Sequence, residues 1–224
     1  PLFTIELLRT MQEQGMLVKD NQGRWIQAAE FDWNELPARV DAVIQERISR
    51  LTETMKDVLT LASVEGEEFT AEVVAALQKI EIRDLVKLLS RELDKRHHLV
   101  TSKGVRYVDK KRLSLYLFQH ILFQRYLYND LDEAERSYLH EEVGCILEEI
   151  YGDKAEDISV HLARHFQEAG IAEKAVHYLY KAGNKAVHLS SNDEAIANYK
   201  KALSLLQALP QTPERNKREL TLLL

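Results

Sequence analysis

Residues 183–203 read Gly183-Asn184-Lys185-Ala186-Val187-His188-Leu189-Ser190-Ser191-Asn192-Asp193-Glu194-Ala195-Ile196-Ala197-Asn198-Tyr199-Lys200-Lys201-Ala202-Leu203. Small residues fall at Gly183 and, twelve positions on, at Ala195, with the aromatic Tyr199 and another small residue, Ala202, behind them. Two helices cross closely only where small side chains let their backbones approach, so this spacing predicts a tight pair of helices. An upstream stretch repeats the template: Leu162, Ala163 and Phe166, then Ala175, Leu179 and Ala182.

Both copies resemble the tetratricopeptide repeat, with departures. They lie twenty residues apart, so one helix over 172–189 serves both, and the first copy lacks the usual closing proline. The expectation is an antiparallel, tetratricopeptide-like helical stack over 132–224, a scaffold whose groove takes a protein or peptide. Its earlier helices are marked by Tyr138, Val143, Ile146, Leu147 and Ile150, stopped by Gly152, and by Ile158, Leu162, His165 and Phe166, stopped by Gly170. A further helix, capped by Thr212-Pro213, runs off the end in Leu222-Leu223-Leu224. That unfinished helix, and a start at Pro1 instead of Met, suggest a piece of a longer protein.

Working back from the stack, residues 51–131 read as three helices and a hairpin, the order of a winged helix-turn-helix. Thr52 opens the first helix and Gly66 closes it; a second follows Thr70; a third runs from Ile82 to about Leu93. Leu99-Val100-Thr101 and Val105-Arg106-Tyr107-Val108 alternate around Ser102-Lys103-Gly104, which predicts a β-hairpin turning at that glycine. Leu115 to Leu131 then reads as helix. Residues 1–50 hold a helical stretch from Leu2 to Met16, a small hairpin (Met16–Val18 and Arg24–Ile26) and a helix starting near Pro37 and reaching Leu51.

Composition agrees with a mainly α fold. The chain has 224 residues, 45% of them hydrophobic and 29% charged, with only eight Gly and four Pro to make turns. Such a composition excludes wholesale disorder. One cysteine, Cys145, excludes a disulfide framework and fits a reducing cytoplasm. No apolar run approaches the roughly 18 residues of a membrane helix, so no membrane partner is expected.

Pro1-Leu2-Phe3, Ile5-Glu6-Leu7-Leu8-Arg9, Leu36-Pro37, Val43-Ile44 with Arg47-Ile48 and Leu51, Phe118 with His120 and Leu122, and Leu127-Tyr128 are similar, in that order, to STAND-class signalling ATPases of the AAA-related kind. Ala169-Gly170 with Glu173-Lys174-Ala175, and Ala182-Gly183 with Asn192–Ala195, resemble the helical repeats that follow in those proteins. The resemblance implies a lid remnant (1–50), a winged helix (51–131) and repeats (132–224) behind an upstream nucleotide-binding domain of the same chain. ATP and Mg would bind in that parent domain, with Pro1 on the adenine side, and none in this stretch. Bacterial members of the family join these parts to cyclase, kinase or transcription-factor domains.

Catalytic signatures are missing. There is no Gly-x-x-x-x-Gly-Lys-Ser/Thr loop, no Gly-x-Gly-x-x-Gly after a strand and no Gly-x-Ser-x-Gly elbow. No catalytic residue and no metal ligand is therefore assigned. His161 and His165 share a helix face at i, i+4, but Leu-Ala-Arg between them lacks the glutamate of a zinc protease, and packing histidines are expected. Cys145, within Val143-Gly144-Cys145-Ile146-Leu147, is expected to be a buried, inert thiol. His97-His98 should face solvent, and His120 should pack or hydrogen-bond.

Charge gives a competing reading. Over Lys79–Arg112, eleven Lys and Arg face five Asp and Glu, in a chain of net charge −6. Lys95, Arg96, Lys103, Arg106, Lys110 and Lys111 sit on the third helix and the hairpin, the elements with which a winged helix meets DNA. Against this, the third helix alternates signs and offers no Asn or Gln to read bases. Three functions follow: a non-catalytic regulatory and interaction arm of a STAND-like ATPase, a DNA-binding regulator, or a free-standing peptide scaffold.

Overall fold

A computed structural model describes residues 17–19, 25–27, 35–213, 215, 216, 219 and 220. The expected helix over Leu2–Met16, Pro1 and the terminal leucines lie outside the described residues. The chain divides into two compact units, Pro1–Thr52 and Glu53–Leu224. In the first, β1 (Leu17–Lys19) pairs antiparallel with β2 (Trp25–Gln27), and α1 spans Glu35–Ser49.

The second unit is mainly helical with one small sheet. Helix α2 (Glu53–Glu65) buries Met55, Val58, Leu59 and Ala62, the three-and-four spacing of an amphipathic helix. Strand β3 (Glu68–Thr70) leads into α3 (Ala71–Gln78). Helix α4 (Ile82–Lys87) continues as a π turn over Leu88–Asp94, and together they bury Leu85, Leu89 and Leu93. The wider π turn offsets the drift of an i+4 series on an α-helix, which keeps those leucines in line.

Strands β4 (Val100–Val108) and β5 (Lys111–Phe118) form the hairpin, and β3 completes an antiparallel sheet of order β3-β5-β4. This corrects two expectations. The chain turns at Asp109-Lys110, where Asp109 has φ +53°, and not at Ser102-Lys103-Gly104. Gly104, at φ +105°, instead follows a bulge in which the register shifts between Ser102 and Gly104. Leu115–Phe118 is strand, not helix, and α5 begins only at Ile121 (Ile121–Asp130).

One face of the sheet carries Phe69, Tyr116 and Phe118, with ring centroids 5.9 and 5.4 Å from Phe69; Ser90 Oγ on the π turn meets Tyr116 Oη at 2.8 Å. The other face turns Leu113 and Leu115 toward the helices that follow. Those are α6 (Glu133–Tyr151), a 3-10 turn (Gly152–Ile158), α7 (Ser159–Glu168), α8 (Ala172–His188) and α9 (Asn192–Gln207). Asp132 caps α6, its Oδ1 accepting from the Glu135 amide at 2.8 Å. Gly152 and Gly170 take positive φ at two helix ends, as a residue leaving a helix through the left-handed region must.

An apolar core runs from Val64 and Val73 through Val108 and Leu113 to Val143, Leu147, Phe166, Val176 and Leu179, across the expected 131/132 boundary. At the far end, Gly183 lies under the Tyr199 ring so closely that an added Cβ would stand 2.2 Å from a ring carbon. Tyr199 Oη donates to Asn184 Oδ1 at 2.7 Å. Glu148 braces α6 to α8 by accepting from Lys174 Nζ and Tyr178 Oη, each at 2.6 Å.

Candidate functional site

The basic residues do not form one surface. Lys95 and Arg96 follow the π turn, and Arg96 pairs with Glu92 at 3.1 Å. Lys103, in the bulge, reaches Glu68 across the sheet at 3.3 Å, and Arg106 lines a cavity on the same side, which faces the stack. Lys110 occupies the hairpin tip, exposed. Lys111 Nζ donates to the Glu149 carbonyl at 2.6 Å, and Asp109 pairs with Lys154 of the 3-10 turn at 2.5 Å. The hairpin tip is thereby fastened to the helices behind it. What remains open to solvent on the third helix is a row of cations, Arg83, Lys87, Arg91 and Lys95, opposite the buried Leu85-Leu89-Leu93 series. Lys87 within it is paired with Asp84 at 2.9 Å.

A second constellation occupies the seam between sheet and stack. His140 and His165 are buried, 2% and 0% exposed, with their Nδ1 atoms 2.8 Å apart. His140 Nε2 meets Tyr128 Oη at 2.8 Å. Burial, reinforced by the Arg164 guanidinium, pushes the His140 imidazole down to about 4 and the His165 imidazole well below its usual value. Both rings are neutral, so each has one donor nitrogen and one acceptor. His165 Nε2 has no hydrogen-bond partner among the described residues.

Bordering the buried seam is a cavity of about 90 Å³, to which α2 contributes Glu65, β3 Glu68 and Thr70, β4 Arg106, and α7 His161 and His165. Comparisons with protein families, curated proteins and solved structures find no match. Glu65 accepts from the Thr70 amide at 2.9 Å and from its hydroxyl at 2.7 Å. Burial nonetheless raises its carboxyl to about 7, against the lowering pull of those hydrogen bonds and of Arg164. Arg164 itself donates to the carbonyls of Val64 and Glu65, closing the end of α2. Tyr128 and His140 open on the other side into a cleft of about 280 Å³, shared with Gln124, Arg136 and Arg164. Neither of those arginines has a described carboxylate within 4.0 Å.

Among the described residues no group of three His, Cys, Asp or Glu side chains is arranged to hold a metal ion, and no helix is long and apolar enough to cross a membrane. His161 stands exposed at the cavity and only His165 is buried. His120 caps α5, its Nδ1 accepting from the Leu122 amide at 3.2 Å. Cys145 corrects the sequence reading: it is exposed, because the buried stripe of α6 runs through His140, Val143, Gly144, Leu147 and Tyr151 and turns position 145 outward. The same stripe is the signal that places His140 on an apolar face. Glu65 and Arg164 gave no such sign.

Proposed function

We propose that this chain is the non-catalytic regulatory and interaction arm of a STAND-like signalling ATPase, in which a winged helix and a tetratricopeptide-like stack pass the nucleotide state of an upstream domain to an effector. The element order α2-β3-α3-α4-β4-β5, with the sheet in the order β3-β5-β4, supports the winged helix. The Gly183–Tyr199 approach supports the repeat-like stack. The observation that carries the reading is the fastening of the hairpin tip, Asp109 to Lys154 and Lys111 to Glu149, over a core that both halves share. A wing tip tied to the stack in this way supports transmission between the two over entry into a groove of DNA. Lid helices, the upstream domain and a protein or peptide in the helical groove are the partners this role requires.

DNA binding is the second reading, favoured by the exposed row Arg83, Lys87, Arg91 and Lys95. Fluorescence anisotropy at low salt separates the two, using a labelled duplex and a fluorescent ATP analogue. The regulatory reading expects neither to bind this chain. Duplex binding that Arg91→Ala and Lys95→Ala weaken, with a shallower salt slope, transfers the function to DNA. Tight ATP binding or turnover by this chain overturns the non-catalytic assignment.

A further inference from the structure

Strand β4 lies at the edge of its sheet, since the order β3-β5-β4 gives it β5 on one side and no described strand on the other. Its first half is closed. Gln119 Nε2 donates to the Val100 carbonyl at 3.2 Å, and in the bulge the Gly104 amide donates to Ser102 Oγ at 3.3 Å. The second half, residues 105–108, is regular and pairs residue for residue with Ser114, Leu113, Arg112 and Lys111. In an antiparallel ladder every second residue turns both its N–H and its C=O away from the partner strand. Two of these four residues therefore present a donor and an acceptor each along the open edge. The side chains there are as uncovered as the backbone: Val105 is 46% and Tyr107 68% exposed, and Arg106 between them is exposed as well. An edge left in this state is a template for a further strand.

We propose that the outer edge of β4 docks an acidic, extended segment of a partner protein, which adds a fourth strand to the sheet beside residues 105–108. Charge selects that partner. Residues 100–112 hold five Lys and Arg against Asp109 alone. Asp109 is paired with Lys154 and Lys103 with Glu68, which leaves Arg106, Lys110 and Arg112 without a described carboxylate within 4.0 Å. The ladder sets the order of side chains. Arg106 shares the face of its partner Leu113, which looks toward the stack, whereas Val105 and Tyr107 lie on the opposite face, Tyr107 across from Arg112. Side chains of paired residues stand on one face, so the incoming strand carries an acidic residue beside Arg106 and apolar residues beside Val105 and Tyr107. A second copy of this hairpin would bring cations against cations. A phosphodiester backbone offers acceptors and no donors, so it does not pair with the outward carbonyls of β4. The inference goes beyond the regulatory reading and does not rest on it: the site is a strand edge and not the helical groove, and all of it lies within one compact unit.

The test is fluorescence anisotropy of a labelled Val-Glu-Val-Glu-Val-Glu peptide titrated at low salt with the full chain, together with amide hydrogen exchange. The expected result is saturable binding with a Kd of roughly 100 μM or below, slowed exchange at residues 105–108, and no saturation by the matching Val-Lys peptide. Two further peptides, N-methylated at every valine or at every glutamate, separate strand pairing from charge attraction. Only the amides that face β4 matter, so one pattern should lose about tenfold or more in affinity while the other binds as the parent peptide does. Arg106→Thr replaces an exposed residue with one that favours strands, so the fold survives by circular dichroism while the affinity falls about tenfold. Absence of saturable binding, equal effects of the two methylation patterns, equal binding of the lysine peptide, or unchanged affinity in Arg106→Thr overturns the proposal. A sedimenting dimer that Tyr107→Thr dissociates gives the edge to a second copy, and a labelled duplex that alone protects residues 105–108 gives it to nucleic acid; either result overturns it too.

Discussion

Gly183→Ala adds one methyl group where the chain has least room. The new Cβ would lie 2.2 Å from Tyr199 Cε1 and 2.7 Å from two neighbouring ring carbons, whereas ordinary contact begins near 3.4 Å. The ring must withdraw by more than 1 Å, and its own tether opposes this: Tyr199 Oη donates to Asn184, and its ring centroid lies 6.2 Å from that of Tyr180. Overpacking of this kind costs about 1–3 kcal/mol, and loss of the hydroxyl hydrogen bond about 1 more. Alanine in mid-helix returns about 1 kcal/mol relative to glycine. The expected loss is therefore about 1–3 kcal/mol, or about 2–12 °C in Tm for a cooperative unit of this size. Thermal and urea unfolding followed by circular dichroism measure it. The same alanine in a Tyr199→Leu background, where the overlap is gone, should be neutral or slightly stabilising, and the double-mutant cycle isolates the contact. A Gly183→Ala chain as stable as the parent would refute the close crossing of α8 and α9.

Glu65→Gln should change how stability depends on pH. Because the folded carboxyl titrates at about 7 and the unfolded one at 4.5, its contribution is complete below pH 4.5 and lost as pH rises through 7. Glutamine keeps both bonds to Thr70, so urea unfolding should find the variant equal to the parent at the acid end and about 2 kcal/mol more stable above pH 7, after allowance for solvent at the half-buried carboxyl. His140 acts in the opposite sense: with its pKa pushed down from 6.5 to about 4, its contribution is complete above 6.5 and lost as pH falls through 4, in both proteins alike. Cys145 should react with a thiol reagent in the native chain nearly as fast as in urea; protection by an order of magnitude or more would mean that its helix face is covered. A chain of residues 132–224 alone should be poorly folded, since removing Val64, Val73, Val108 and Leu113 opens its core; a cooperative melt from that piece would show the stack to be self-sufficient.

The helices were legible because their signals are local. Apolar residues at three-and-four spacing gave α2 and α6 through α9, and Gly152 and Gly170 gave two of their ends. The hairpin was misread for a physical reason. Leu113, Leu115 and Leu117 face the stack while Tyr116 and Phe118 face the helices, so β5 is apolar on both sides and its sequence shows no alternation to tell strand from buried helix. Gly104 drew the turn to itself, although its positive φ serves a bulge, and the real turn rests on Asp109, an unmarked residue in a left-handed conformation. The seam was less legible still. His165 was found by its i, i+4 partner, but its neighbours His140, Tyr128, Glu65 and Arg164 come from four different helices, and nothing local announces that they meet.

That shared core also dictates an order of events during synthesis. Val108 and Leu113 emerge from the ribosome with their sheet, but core partners such as Phe166 and Leu179 lie further on, Leu179 roughly 66 positions beyond Leu113. At about 5–20 residues per second the hairpin waits about 3–13 seconds with its stack-facing side bare. In that interval the nascent chain presents an apolar β-ribbon, the kind of surface that holding chaperones bind and that neighbouring nascent chains pair with. Translation speed across residues 114–179 is therefore part of what this protein needs in order to reach its fold.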